Sequence, residues 1–186
     1  MTFSLTWLPK ALTDAGLKVA EVPGWQNRGA GDMDIGKVLG VLCHHTGVHS
    51  TKNMPTLHAL INGRAAEKNL KAIPGPLAQL GLARDGTFFI IAAGRANHAG
   101  TGMWQGVTSA NTHFIGIEAE NSGDDADKWP DVQIDAYQRG VAAILKHIQQ
   151  PTIFCAGHKE YAPDRKDDPS FEMVPFRAAV EKILAG

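Results

Sequence analysis

The residues able to do hydrolytic chemistry fall in a few short stretches of the chain. One is His158 to Asp168, within Gly157-His158-Lys159-Glu160-Tyr161-Ala162-Pro163-Asp164-Arg165-Lys166-Asp167-Asp168-Pro169. An imidazole and a carboxylate at that spacing, on a strand end and a proline-punctuated loop, can converge on one metal ion. A second source of imidazole lies far upstream at His44-His45, where an apolar run ends. Two histidines and one carboxylate around an open position form the ligand set of a hydrolytic zinc site. On extended backbone the rings of His44 and His45 point to opposite faces, so only one of them can face such a site. Asp167 competes with Asp168 for the carboxylate role, and spacing alone does not separate them.

Two further residues suit the same chemistry. In Phe114-Ile-Gly-Ile-Glu118-Ala-Glu120 the alternation puts Ile115, Ile117 and Ala119 on one face, and Gly116, Glu118 and Glu120 on the other. A carboxylate on such a strand is costly to bury without a partner or a task. A zinc hydrolase needs a general base near its water, which Glu118 could supply. Lys166, two residues before Asp168, could reach the oxyanion of a tetrahedral intermediate. His49, His58, His113 and His147 have no comparable partners, and His147 reads as a surface residue of a helix.

The elements that must position these residues follow from periodicity. Leu5, Leu8 and Leu12 predict a short helix over 4–16, with Pro9 in its first turn and Gly16 as its C-cap. Residues 20–36, rich in Gly, Pro and Asp, predict an irregular surface segment over which Trp25 packs as a lid. The continuous apolar run 37–43 predicts a buried central strand. Leu57, Leu60 and Ile61 predict a helix within 55–69, and Arg84-Asp85-Gly86 predicts the turn of a hairpin spanning 77–93. A loop at 94–113, the strand 114–120, a helix over 133–149, a strand at 152–156 and a last helix near 173–185 complete the chain. The expectation is one α/β domain over residues 1–186, with a mixed central β-sheet flanked by helices. Within it, 1–36 forms an N-terminal helix and irregular segment, and 37–186 the catalytic core.

Composition narrows the function classes. The chain has 186 residues, enough to bury a substantial core without disulfides. A formal net charge of −1 gives no basic footprint for nucleic acid. Cys43 and Cys155 are the two cysteines, both in apolar runs, which predicts buried thiols rather than a disulfide framework. No stretch reaches the roughly 20 apolar residues of a membrane span. The N-terminal residues lack a basic region followed by an apolar one, so synthesis in the cytoplasm without a signal peptide is expected. Monomer is the default.

Together these stretches resemble the zinc-dependent N-acetylmuramoyl-L-alanine amidases of the type-2 amidase and peptidoglycan-recognition-protein superfamily, above all the catalytic domains of phage endolysins. The likeness is carried by Val41-Leu42-Cys43-His44-His45-Thr46, Arg84-Asp85-Gly86-Thr87, His98-Ala99-Gly100, Ile115-Gly116-Ile117-Glu118, and Gly157-His158 through Lys166-Asp167-Asp168-Pro169, in the family's order. The resemblance implies one Zn2+ held by His44, His158 and Asp168, with Glu118 as catalytic base and Lys166 as oxyanion stabiliser. It places His98 in the lining of the substrate cleft, where Asn97 and His45 are also expected to meet substrate. Asn97 stands where the family often has Trp, and Ser170 where many members have Gly. The implied reaction cleaves the amide between the lactyl group of muramic acid and L-alanine, with peptidoglycan or a muropeptide as partner. An endolysin released by a holin-type lesion is the preferred setting, on the likeness of Pro74-Gly-Pro through Gly94-Arg95-Ala96-Asn97-His98 to phage lysins. The alternatives are a cytosolic recycling amidase for soluble anhydro-muropeptides and a non-catalytic peptidoglycan-binding module. Members of the latter kind typically lose the third ligand, and Asp168 is present here.

Overall fold

Eight strands and six helices, joined by single 3-10 turns, make up the computed structural model, which describes residues 2–67 and 71–186. In chain order they are α1 (Leu8–Asp14), β1 (Val19–Glu21), β2 (Gly40–His45), α2 (Leu57–Asn62), β3 (Gly63–Arg64), β4 (Ile73–Pro74), β5 (Leu80–Leu82) and β6 (Phe88–Ile90). There follow α3 (Ala110–His113), β7 (Phe114–Ala119), α4 (Asp131–Ile148), β8 (Cys155–Gly157), α5 (His158–Tyr161) and α6 (Met173–Ala185). Six strands form one sheet in the order β1-β6-β5-β7-β2-β8. All its pairings are parallel except β5 with β6, so the sheet is mixed as expected.

The pleat explains how the site faces one side. Val41, Cys43, Ile115, Ile117 and Cys155 turn toward a core built with Tyr137, Val141, Ile144 and Leu145 of α4 and with Phe176 and Val180 of α6. Leu42, Phe114 and Ala156, one step out of phase, pack on the opposite face with Ala99, Tyr161 and Ala162. His44 and Glu118 continue that second phase. They are direct partners in the β2–β7 register, which sets the imidazole and the carboxylate side by side.

Leu5, Leu8 and Leu12 join the same core as α4, with Pro9 at the start of α1. The hairpin forms as expected: Leu82 pairs with Phe88, and Gly86 takes φ of 80° in the turn, where a side chain would be strained. Its preceding carboxylate, Asp85, accepts the Thr87 N–H at 3.0 Å.

Three expectations need correction. Residues 20–36 lie at the surface as expected but are not wholly irregular: β1 overlaps their start and adds a parallel edge strand on β6, and Trp25, Ala30 and Ile35 reach back into the interior. Glu21 anchors Trp25 there, accepting the indole N–H at 2.7 Å. The strand placed at 152–156 is shifted, because Thr152–Phe154 form a 3-10 turn closed by Phe154 N–H to Pro151 carbonyl at 3.0 Å. Pairing with β2 begins only at Cys155, so His158 opens α5 rather than ending a strand. The helix placed in 55–69 is short, since its chain turns at Gly63 (φ 95°) into the small β3–β4 ribbon; residues 68 and 69 lie outside the described residues.

Candidate metal centre and active-site cleft

Three donors meet at the end of the central strands. The Nδ1 of His44 lies 2.9 Å from Asp168 Oδ2, and the Nδ1 of His158 lies 3.2 Å from the same oxygen. One ligand atom from each of the three residues falls within 4.8 Å of the others, and all three residues are buried. His44 is delivered by β2, and its strand-end backbone is held by α4: its N–H donates to the Tyr137 hydroxyl at 2.9 Å, which donates onward to Ile117 carbonyl at 3.0 Å. His158 is held from behind, its Nε2–H donating to Ala99 carbonyl at 2.9 Å, which leaves the Nδ1 lone pair facing Asp168. Asp168 reaches the pair because its carbonyl accepts the Lys159 N–H at 2.7 Å, clasping the loop to α5. Asp167 is exposed and outside the cluster, so the structure chooses between the two adjacent carboxylates.

The electrostatics fit a cation. Burial drives the His44 pKa down to about 4 against the opposing pull of the Asp168 carboxylate, so its imidazole is neutral and one ring nitrogen keeps a lone pair. Burial alone would raise Asp168, yet the His158 and His44 imidazoles set against its Oδ2 hold its carboxyl below the usual carboxylate range. Two imidazoles and a carboxylate around one open side are the donors a hydrolytic metal ion takes. The residues present fit such an ion.

Glu118 stands beside this cluster, its Oε1 3.9 Å from His44 Nδ1. Its other oxygen, Oε2, is buried and has no partner. Burial, then the Asp168 charge, push its carboxyl well above the ordinary value. Glu120, two residues on along the same face, is different: it accepts hydrogen bonds from Thr46 and Thr56 and ties the 46–56 loop to β7. Lys166 is exposed and lies on the cleft rim.

The cleft has a volume of about 330 Å³ and is lined by His44, His45, Thr46, Val48, Thr56, Ala59, Leu60, Arg64, Ile73, Leu77, Asn97, His98, Glu118, His158, Lys166 and Asp168. A second stretch, bordered by Gly100, Asn111 and Arg165, shares Ile73, Asn97, His98, His158 and Lys166 with the first. The two recesses therefore adjoin along His98, His158 and Lys166.

A family model described as N-acetylmuramoyl-L-alanine amidase matches residues 35–171. The chain belongs to the N-acetylmuramoyl-L-alanine amidase family. The family chain is 36% identical over 90 residues to the 1,6-anhydro-N-acetylmuramyl-L-alanine amidase AmpD of Escherichia coli strain K12, a segment covering 47% of this chain and 48% of that protein. It thus spans about half the length of the curated relative it matches. A crystal structure of a selenomethionine AmpD derivative superposes with a TM-score of 0.64 at 23% identity, covering 96% of this chain and 99% of that one. The catalytic domain of XlyA superposes with a TM-score of 0.59 at 17% identity, over 88% and 99% of the two chains. At those identities the two superpositions speak for the fold.

Within this amidase-family domain the structure brings together His44, His158, Asp168 and Glu118, with Lys166, Asn97, His98 and His45 around the cleft. His45 turns the other way from His44, its ring against Gly123 and 6.5 Å from Trp129. Asn97 spends its amide N–H on Pro74 carbonyl at 3.0 Å. His113 bonds Lys37 carbonyl, and His147 stacks on Trp7 at 3.8 Å between ring centroids. Sequence reasoning missed Arg64, which lines the cleft with its Nε buried and unpartnered, because its segment read as a helix surface. It also missed Tyr137, legible only as an apolar-face residue of α4. A tyrosine on a face otherwise aliphatic is the signal that could have found it, since a buried phenol needs a hydrogen-bond partner.

Proposed function

We propose that this chain is a zinc-dependent N-acetylmuramoyl-L-alanine amidase that releases the stem peptide of peptidoglycan from its glycan. The observation that carries the reading is the convergence of His44, His158 and Asp168 within 4.8 Å, beside Glu118, in a cleft of a chain of that family. In this reading His44 Nδ1, His158 Nδ1 and an Asp168 oxygen hold the ion. When bound, zinc supplies Lewis acidity, polarising an amide carbonyl and acidifying water. Glu118 takes a proton from the attacking water through its carboxylate, whose Oε1 lies toward His44 Nδ1. Its raised pKa keeps that proton available for the leaving nitrogen of L-alanine as the carbon–nitrogen bond breaks. The water oxygen ends on the lactyl carboxylate. Lys166 offers its ammonium to the oxyanion from the rim.

The preferred substrate is the polymer, as in phage endolysins acting on the wall after release from the cell. The two adjoining recesses support this, since a glycan strand and a stem peptide must leave the scissile bond in different directions. A soluble anhydro-muropeptide is the second reading, favoured by the name of the Escherichia coli relative.

The test measures zinc content and release of L-alanine amino termini for the wild type, His158→Ala and Glu118→Ala, on intact sacculi and on a soluble 1,6-anhydro-muropeptide. One zinc per chain, lost in His158→Ala but kept in an inactive Glu118→Ala, is expected, with sacculi cleaved. Cleavage of the soluble substrate alone would shift the assignment to the recycling type. Zinc without hydrolysis of either would point to a binding module, and a wild type that takes up no zinc would refute the metal reading.

A further inference from the structure

His98 makes an arrangement that a cleft-lining residue does not require. It is 8% exposed, and both its ring nitrogens are used inside the protein. Its Nε2 lies 3.2 Å from Phe114 carbonyl, and its Nδ1 lies 3.1 Å from His44 Nε2. The two rings meet edge to face, at 85° with centroids 5.2 Å apart. A carbonyl oxygen only accepts, so the His98 proton sits on Nε2, and Nδ1 is left as an acceptor. The nitrogen facing that acceptor, His44 Nε2, must then carry the His44 proton. The remaining nitrogen, His44 Nδ1, is left with a lone pair pointing at the site where His158 Nδ1 and Asp168 converge. A doubly protonated His98 does not fit here: the ring is buried against Gly116 and His44, and its Nε2 faces a neutral carbonyl.

We propose that His98 is a positioning residue, which fixes the tautomer and ring direction of His44 through a relay from Phe114 carbonyl, so that His44 presents Nδ1 to the metal. The backbone is shaped for it. A β-carbon on Gly116 would lie 2.6 Å from His98 Cγ, so the strand that carries Glu118 leaves out a side chain where the His98 ring lies. His158 receives the equivalent support directly from Ala99 carbonyl, the next residue along from His98, so one turn of loop orients both imidazoles. The inference rests on the metal reading above for its consequence, while the relay itself is a property of the protein.

The experiment compares zinc affinity of the wild type, His98→Leu and His98→Asn by competition with a chromophoric chelator. Leucine has similar bulk and no acceptor. The Asn side-chain oxygen falls near the position of Nδ1 and can accept the His44 proton. Supporting groups behind a metal-binding histidine are worth about 10–100-fold in affinity, so His98→Leu should bind zinc weaker by that factor, and His98→Asn should regain most of it. A residue that only touches substrate would raise KM and leave zinc affinity alone. Zinc binding by His98→Leu within about twofold of wild type, or by His98→Asn as weak as His98→Leu, would overturn the proposal against that expectation. Nitrogen-15 NMR of the wild-type imidazoles decides independently of whether the variants fold: His98 should be neutral and protonated at Nε2, and a proton at Nδ1 would refute the relay. A wild type that binds no zinc fails the metal reading in its own arm, and the NMR then judges the relay separately.

Discussion

Two carboxylates two residues apart on one strand face show how environment divides roles at the level of single residues. Glu120 has its oxygens occupied by Thr46 and Thr56 and serves the fold. Glu118 has an oxygen with no hydrogen-bond partner among the described residues, next to the three converging side chains of His44, His158 and Asp168. A buried carboxylate left unsatisfied costs stability, and such a cost is tolerated where a ligand or a reaction uses the group. Lys166 makes a different case, because it is exposed and contributes nothing to the packing of the site. Its substitution should therefore separate chemistry from metal binding. Lys166→Met is expected to keep its zinc and its thermal stability while losing about 100–1,000-fold in kcat, the usual worth of one oxyanion donor. Steady-state kinetics beside metal analysis reads both. Zinc lost together with activity would mean that Lys166 supports the site rather than the oxyanion.

At the scale of elements, the site depends on where strands end. β8 pairs with β2 only as far as Cys43, so the next amide, that of His44, loses its sheet partner. Tyr137 of α4 supplies the replacement, and its hydroxyl joins His44 to Ile117 across the β2–β7 pair. Removing it leaves a buried N–H unsatisfied. Tyr137→Phe should cost about 1–3 kcal/mol in urea unfolding, and an unchanged midpoint would show that the backbone closes the gap without the phenol. A second tie between elements predicts acid sensitivity. Arg84, at the hairpin, holds Asp127 with two bonds of 2.8 and 2.5 Å, and Arg84 lowers the Asp127 pKa to about 2. A carboxylate whose folded pKa is depressed stabilises the fold above its unfolded value, near 3.9, and loses that contribution as pH falls toward 2. Asp127→Asn should thus be less stable than wild type at neutral pH, with the gap narrowing between about pH 4 and pH 2. A gap independent of pH would show that the ionised carboxylate is not what stabilises the fold there.

What the sequence disclosed divides along the same lines. β2 was legible as a continuous apolar run, the hairpin from its Asp-Gly turn, and β7 and α4 because their periods of two and 3.6 run long enough to register. His44 and Glu118 sat near the ends of β2 and β7, and their meeting needed only the pleat, whereas His158 and Lys166 were found by family order. Asp168 over Asp167 was settled by the clasp between Lys159 N–H and Asp168 carbonyl, which no spacing reveals. β1 was hidden because three residues carry no period and its partner β6 lies far along the chain. Thr152 to Phe154 read as a strand on β-propensity, yet an edge segment with no neighbour to pair with curled into a turn behind Pro151. The relay through His98 was illegible for a related reason, since it depends on a gap left by Gly116 on a different strand.

For the whole molecule, the three converging donors join distant parts of the chain. His44 and Asp168 are separated by 124 positions, and His158 comes from the element between sheet and loop. Without a cation, Asp168 and Glu118 face one another as like charges, which is one cause of the raised Glu118 pKa. An ion bound there offsets that repulsion and stabilises the folded state by mass action. At 100 times its dissociation constant, a ligand that binds only the folded protein contributes about 2.7 kcal/mol. For a chain of this size each kcal/mol moves the melting temperature by about 2–4 °C. Stripping zinc with a chelator should therefore lower the melting temperature by roughly 5–10 °C, and zinc added back should restore it. Magnesium should not, because two imidazoles are poor donors for a hard cation. His158→Ala should melt near the stripped wild type and be indifferent to both treatments. A wild type whose melting temperature ignores chelation, or a His158→Ala variant that still responds to zinc, would place the ion elsewhere.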